Sequence, residues 1–225
     1  MTRFLDIILS LAAFLLISPL FLVIMLILRF TGEREVFYWQ TRIGKGRKPF
    51  EILKFATMLK ASPNLGAGLH TLDNDPRVLP FGRLLRQTKL NEIPQLLNIL
   101  KGDISIIGPR PTVPSHFEVF PEHVKREIEK VRPGLSGIGS IVFADEQTML
   151  SNSSMDHEKL YANVIVPYKG ELELWHVRNQ SLYTYFALIL STLLIVINRR
   201  SKAYLFFFQN LPKPSKEFLA LTKER

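Results

Sequence analysis

The sequence predicts a helix-rich α+β fold carried on a membrane helix, and three observations lead there. From Ile7 to Leu28 no residue is charged and nearly every side chain is apolar. Residues 36–55 contain short alternating runs on either side of Gly44-Lys45-Gly46, the pattern of one small β-hairpin. Much of the remainder places apolar residues at helical spacing.

Length and charge bound the rest. The chain of 225 residues fits one domain of ordinary size with an appendage. We divide it into an anchor at 1–31, a folded body at 32–200 and a basic, aromatic tail at 201–225. Lys and Arg outnumber Asp and Glu by 29 to 20, a net charge of +9, which points to an anionic partner. The absence of cysteine excludes disulfides, thiolate catalysis and Cys-ligated zinc. The histidines form no metal-binding pair, so a transition-metal site is not expected, whereas a hard cation held by carboxylates and phosphate stays open.

The Ile7–Leu28 run exceeds the apolar core of a signal peptide, and the Arg29–Arg34 flank has no small-residue cleavage site. It reads as a membrane anchor. Ser18-Pro19 falls near its middle, where proline removes a backbone hydrogen bond. With Arg3 before the run and a basic body after it, the positive-inside rule favours the same face for both ends, which a re-entrant helix broken at Pro19 satisfies. A kinked single span is the alternative.

Beyond the hairpin, residues 61–76 read as a loop, and a helix follows from Asp75 towards Arg86. Arg83, Arg86 and Lys89 recur every three residues, a basic ridge that calls for an anion or water. The ridge leads into Leu90–Thr112. There Ile93, Leu96, Leu97 and Leu100 keep helical rhythm, Asn91 and Glu92 stand at the head, and a Lys101-Gly102-Asp103 turn follows. A strand-like run then ends in Gly108-Pro109-Arg110-Pro111, and an anion is expected between Glu92 and Arg110. Pro121–Arg132 reads as a surface helix, Pro133–Gly139 as a glycine-rich turn and Asn152–Glu158 as a polar loop. Tyr161–Arg178 reads as a helix. Ser181–Asn198, closed by Arg199-Arg200, suits an interfacial amphipathic helix facing anionic lipid, with a short span or a core helix as alternatives. The tail reads as a membrane-contacting patch and then disorder.

The order of motifs is specific in combination. After the Ser-Pro anchor come Gln40-Thr41-Arg42-Ile43-Gly44, Lys54–Met58, Asn74–Arg77, Gly82–Arg86, Asn91–Leu96, Lys101–Pro111 and Val131–Gly134. Together they resemble the short form of the bacterial sugar transferases, the monotopic phosphoglycosyl transferases, over roughly residues 3–200. The resemblance implies a re-entrant N-terminal helix and a catalytic domain at the cytoplasmic face of the bacterial inner membrane. It also implies transfer of a sugar 1-phosphate from a UDP-sugar to undecaprenyl phosphate with help from Mg2+. UMP would leave, and downstream glycosyltransferases would extend a capsule, O-antigen, exopolysaccharide or glycoprotein glycan. A basic ridge and a divalent ion suit two polyanionic substrates. Nucleic acid is not an expected partner, because no recognition motif accompanies the charge.

The resemblance departs at its centre. The family's nucleophile is an Asp where this chain has Asn91, and a neutral amide has no anionic oxygen with which to replace it. Residues 137–143 also differ from the family's pattern, and Asp145-Glu146 follows them. The expected roles are therefore Glu92 as principal catalytic carboxylate, as nucleophile or base, with Asn91 positioning phosphate or metal. Arg86 and Arg110 would neutralise phosphate oxygens, supported by Lys54, Arg83 and Lys89. Asp103 is a further candidate, and Asp145 or Glu146 could join Glu92 at the metal. The alternative is a weak or inactive homologue serving as a membrane scaffold.

Overall fold

The computed structural model describes residues 2–65, 71, 74–153, 156–199 and 201–223. Parts of the expected 61–76 loop, and Arg200 of the expected Arg pair, lie outside the described residues. The chain divides into two compact units, Met1–Thr41 with Glu51–Gly102 and Arg42–Phe50 with Asp103–Arg225. Residues 32–200, expected as one body, contribute to both.

The first unit holds α1 (Thr2–Phe30), the base of the hairpin β1 (Phe37–Ile43) and β2 (Pro49–Phe55), α2 (Pro80–Gln87) and α3 (Gln95–Lys101). Among the described residues α1 is the one helix long and apolar enough to cross a membrane. It runs on through Pro19, which has no N–H for the Leu15 carbonyl four residues back. Ser18 Oγ donates to that carbonyl instead, at 2.8 Å. The expected break is thus the replacement of one ladder bond, not an end of the helix.

One face of α1, Phe21, Ile24 and Leu28, is buried with Phe55 and Leu85, and the Phe21 and Phe55 rings lie 5.0 Å apart. Leu15, Leu16, Leu22 and Leu26 remain exposed. Near its start, Arg3 donates to the carbonyls of Ile99 and Leu100 at the C-terminal end of α3, where a cation complements the helix dipole. Glycine at 102, with φ of 99°, closes that helix as the turn residues predict.

Two polar side chains tie this unit together. Asn98 accepts from the Leu53 N–H at 2.9 Å and donates to the Glu51 carbonyl at 2.8 Å, standing in for a strand beside β2. Arg77 is buried, bonded to both Asp75 carboxylate oxygens and to the carbonyls of Ser62 and Leu65. The Asn-Asp-Pro-Arg stretch is therefore a structural lock. Gly82 lies so close to the Thr57 backbone that a Cβ would collide with it.

The second unit holds the hairpin tip, then β3 (Ser105–Ile107), α4 (Pro114–Val119), α5 (Glu122–Ile128), β4 (Gly134–Ser136), α6 (Ile138–Val142), α7 (Glu146–Asn152), α8 (His157–Leu160) and α9 (Val166–Arg178). A π-helical turn, Tyr161–Ile165, opens α9, and α10 (Leu182–Ile197), α11 (Tyr204–Phe207) and α12 (Lys216–Lys223) follow. At the tip, Gly46 adopts φ of 67° and its N–H donates to the Glu129 carbonyl at 2.8 Å. Arg47 pairs with Glu122 and Glu129. The strands β3 and β4 run parallel, Ser105 against Gly134 and Ile107 against Ser136, joined by the α4–α5 crossover.

On α10, Thr184, Tyr185, Ala187, Leu188 and Ser191 are buried, while Tyr183, Phe186, Leu190, Leu193 and Ile197 form an exposed stripe. The helix is apolar on both faces because one packs inward and the other does not. The expected Asn152–Glu158 loop is shorter than predicted, since α7 reaches Asn152 and α8 begins at His157. The tail also departs from expectation. Phe218 is buried between Phe143 and Tyr168, at ring distances of 5.1 and 4.9 Å, and Tyr168 donates to the Pro212 carbonyl at 3.2 Å. Aromatic burial orders what composition marked as disorder.

Replacing Asn98 with alanine would strand the Leu53 N–H and the Glu51 carbonyl without adding any partner. We expect a loss of about 2 kcal/mol, read from the midpoint of chemical denaturation in detergent.

Candidate active site

In the first unit the predicted residues gather around a 3₁₀ turn, Leu90–Glu92, between α2 and α3. The helix proper starts only after Pro94, so Asn91 and Glu92 sit one turn before its head. Lys89 enters the turn in the left-handed region, φ of 60°, after α2 has ended at Gln87. The expected three-residue basic ridge is thereby cut short. Arg83 is exposed and Arg86 half-buried on α2, whereas Lys89 belongs to the turn.

Glu92 has Lys54 of β2 as an ionic neighbour, 3.6 Å between Nζ and Oε1, with both side chains mostly shielded. Arg86 points its guanidinium towards Thr57 Oγ1 at 3.5 Å. Burial lowers the Arg86 pKa, partly opposed by the charges of Glu92 and Asp75, and Arg77 lowers it further. Asn91 is buried, and its Oδ1 has no hydrogen-bond partner among the described residues. A carboxylate, two cations and a spare acceptor thus share one corner of this unit. That composition can bind a phosphate-bearing ligand while leaving an anionic oxygen for chemistry.

In the second unit, Arg110 rides on the segment Gly108–Thr112 leaving β3, and much of that segment's backbone is hydrogen-bonded. Gly108 N–H donates to the Ser136 carbonyl at 2.9 Å, and the Pro109 carbonyl accepts from Gly134 at 2.8 Å. The Pro111 carbonyl accepts from the Arg42 guanidinium at 3.1 Å, and the Thr112 carbonyl from Ile43 N–H at 3.0 Å. Such contacts need Gly108, Gly134 and Gly137, because a Cβ on any of them would strike the opposing backbone. The two motifs Gly-Pro-Arg-Pro and Arg-Pro-Gly therefore meet as one backbone clasp.

Another donor of this segment, the Arg110 N–H, goes to a residue the sequence does not single out. Glu173 Oε1 of α9 accepts it at 3.3 Å, while Glu173 Oε2 has no partner among the described residues. Burial pushes the Glu173 carboxyl up to about 7, offset in part by the Arg110 N–H and by the charges of Lys169 and Arg110. Four residues earlier, buried Lys169 pairs with Glu146 at 2.6 Å. Burial depresses the Lys169 pKa, but Glu146 and Tyr161 outweigh it and the net shift is upward. The available clue was spacing. Lys169 and Glu173 share the α9 stripe of Ile165 and Leu172, so charge falls where a core face should be apolar.

Asp103, Asp145 and Glu146 also belong to the second unit, with Glu146 engaged by Lys169. Among the described residues no three His, Asp or Glu side chains gather as a metal site. Mg2+ needs no such cage, since it is often held by one or two protein oxygens together with substrate phosphates and water. The Glu92 carboxylate and the partnerless Asn91 Oδ1 suit that sparse arrangement.

Comparison with known proteins agrees with the motif order. The profile of the bacterial sugar transferases matches residues 1–199. The chain belongs to that family. The exopolysaccharide production protein ExoY of Rhizobium meliloti is 32% identical over 186 residues, covering 74% of this chain and 82% of the relative. The UDP-glucose:undecaprenyl-phosphate glucose-1-phosphate transferase of Escherichia coli is 38% identical over 138 residues, 60% of this chain and 30% of the relative. An Aeromonas hydrophila UDP-N-acetylgalactosamine-undecaprenyl-phosphate N-acetylgalactosaminephosphotransferase is 38% identical over 144 residues, 62% of this chain and 33% of the relative. Against these two larger sugar transferases the match spans about a third of their length.

Glu173 gives a pH-dependent stability test. Its carboxyl is raised in the folded state from 4.5 to about 7, so folding is favoured with the proton on and is penalised as pH rises. The penalty grows above about 4.5 and levels off above about 7. Glu173→Gln should therefore become more stable than wild type as pH goes from 5 to 8, by about 1–3 kcal/mol at the upper end. Melting curves across that range measure it.

Proposed function

We propose that the protein transfers a sugar 1-phosphate from a UDP-sugar to undecaprenyl phosphate, releasing UMP as the first step of a lipid-linked glycan. The observation that carries this reading is the match over residues 1–199 to a family with relatives named for that reaction. The scaffold alternative finds no support in those names. Downstream glycosyltransferases would extend the product.

The membrane part of the reading rests on α1. The helix approaches the first unit at both ends, Arg3 bonding the end of α3 and Leu28 packing with Phe55, with most of its apolar surface left exposed. Re-entrant insertion from the cytoplasmic face follows from the positive charge on both sides of the apolar run, with the exposed stripe of α10 facing anionic lipid.

Glu92 is the carboxylate for the chemistry. In the first unit Asp75 is spent on Arg77, and Asn91 has no charge to offer. In a covalent route a Glu92 oxygen bonds to the sugar-bearing phosphorus as the anhydride bond to UMP breaks. A lipid phosphate oxygen then displaces the carboxylate. In a direct route the lipid phosphate attacks that phosphorus itself, Glu92 takes up its proton, and UMP leaves. Lys54 and Arg86 hold phosphate oxygens in both, with Arg83 and Lys89 contributing longer-range attraction. Arg110, by its own motif, is taken as a ligand for a substrate phosphate. Mg2+, held by Glu92 and Asn91 Oδ1, would neutralise charge on the diphosphate oxygens.

Purified protein given undecaprenyl phosphate, Mg2+ and a panel of UDP-sugars should release UMP with at least one donor. Glu92→Gln should release it at least about 100-fold more slowly. No release across the panel would remove the transferase reading, and full activity of the variant would remove the Glu92 assignment. Trapping with labelled donor separates the routes, since a phosphosugar adduct on Glu92 marks the covalent one.

A further inference from the structure

Of the contacts that hold the Gly108–Thr112 backbone, one differs in kind from the backbone groups and the Arg42 guanidinium. That one is a buried acid. Glu173 is 3% exposed, and its Oε1 faces the Arg110 N–H while the other oxygen has no partner among the described residues. The same carboxylate lines a cavity with Pro109, Arg110, Thr112 and Lys169. The groups facing it are few. Lys169 comes from its own helix but is already paired with Glu146, and Arg110 comes from the loop. Helix α6 contributes Gly139, where a Cβ would collide with Oε1. Tyr161 and Arg42 face the neighbouring Lys169 and loop rather than Glu173 itself.

Prolines on both sides explain why this acceptor matters. Pro109 and Pro111 have no N–H, so Arg110 offers the sole backbone donor between Gly108 and Thr112. Left without that acceptor, the peptide plane before Arg110 would be held on one side only, by the Pro109 carbonyl on Gly134, and the guanidinium would be less firmly directed. Glutamate is a costly acceptor here, since burying a charge costs more than burying a neutral amide.

We propose that Glu173 is a positioning residue, holding the Arg110 peptide so that the guanidinium is presented to a substrate phosphate. Its link to turnover rests on the transferase reading, whereas its hold on the peptide does not. An ionised carboxylate accepts an N–H more strongly than the neutral acid. Donor kcat/KM should accordingly rise with pH through about 7, where burial places this carboxyl.

Two measurements test this on the full-length protein in detergent. Hydrogen exchange of peptides covering 108–112 reads the hold directly, whatever the reaction. Glu173→Ala should speed exchange at Arg110 about tenfold, Glu173→Gln should stay near wild type, and Gly139→Ala should resemble Glu173→Ala by displacing the carboxylate. In UMP-release assays Glu173→Ala should lose about tenfold or more in kcat/KM, mainly through a higher donor KM. Glu173→Gln should keep activity within about threefold while losing the pH inflection near 7. Unchanged exchange in both Glu173→Ala and Gly139→Ala would overturn the proposal. So would an unaltered inflection in Glu173→Gln. If wild type releases no UMP from any donor, the transferase reading fails alone and the exchange result still decides the hold. Should Glu173→Ala not fold, Glu173→Gln and Gly139→Ala carry both measurements.

Discussion

A backbone polar group that a proline or a short strand leaves without its regular partner must find another, or the fold loses the cost of its desolvation. Much of this protein is arranged around that constraint. Pro19 takes an N–H from the Leu15 carbonyl, and Ser18 supplies a hydroxyl in its place. Strand β2 has an open edge beside Leu53, and Asn98 fills it with one acceptor and one donor. Helix α3 ends with free carbonyls, and Arg3 covers two of them. The Gly-Pro-Arg-Pro segment has prolines at alternate positions, and Glu173 receives the one N–H between them. Each side chain looks anomalous by itself. Together they answer one requirement.

That requirement also shapes where charge is stored. Asp75–Arg77 is a buried pair, and buried Lys169 reaches half-buried Glu146, so each joins opposite charges within the fold. Glu92 differs, since its pairing with Lys54 is looser, at 3.6 Å. The substitution at Asn91 fits the same corner. An amide does not add a second negative charge next to Glu92, and it keeps an oxygen that can face a cation.

Several elements were legible in the residues themselves. The long apolar N-terminal helix, the hairpin around Gly44-Lys45-Gly46, the Gly102 stop and the α10 boundaries follow from local propensity and periodicity, and the structure bears them out. The same rules misjudged Lys89, because a helix ending at Gln87 removes the periodicity that joined it to Arg83 and Arg86. They also misjudged the tail. Nothing local in Lys216–Lys223 signals order, yet Phe218 finds Phe143 and Tyr168 across a large sequence distance.

What the sequence determined by itself is the list of parts: an anchor, a hairpin, a set of helices, the family, and a Glu92–Arg110 stretch rich in phosphate-binding chemistry. Those properties reside in composition and short-range spacing. Tertiary structure alone decided how the polar groups are buried and paired. Asp75 and Glu146 look as available as Glu92 when read as letters, and Glu173 looks like one more helix-surface acid. Glu146 is held by Lys169 and Glu173 is buried against Arg110, contacts between residues far apart in the chain, whereas Asp75 is held by its near neighbour Arg77.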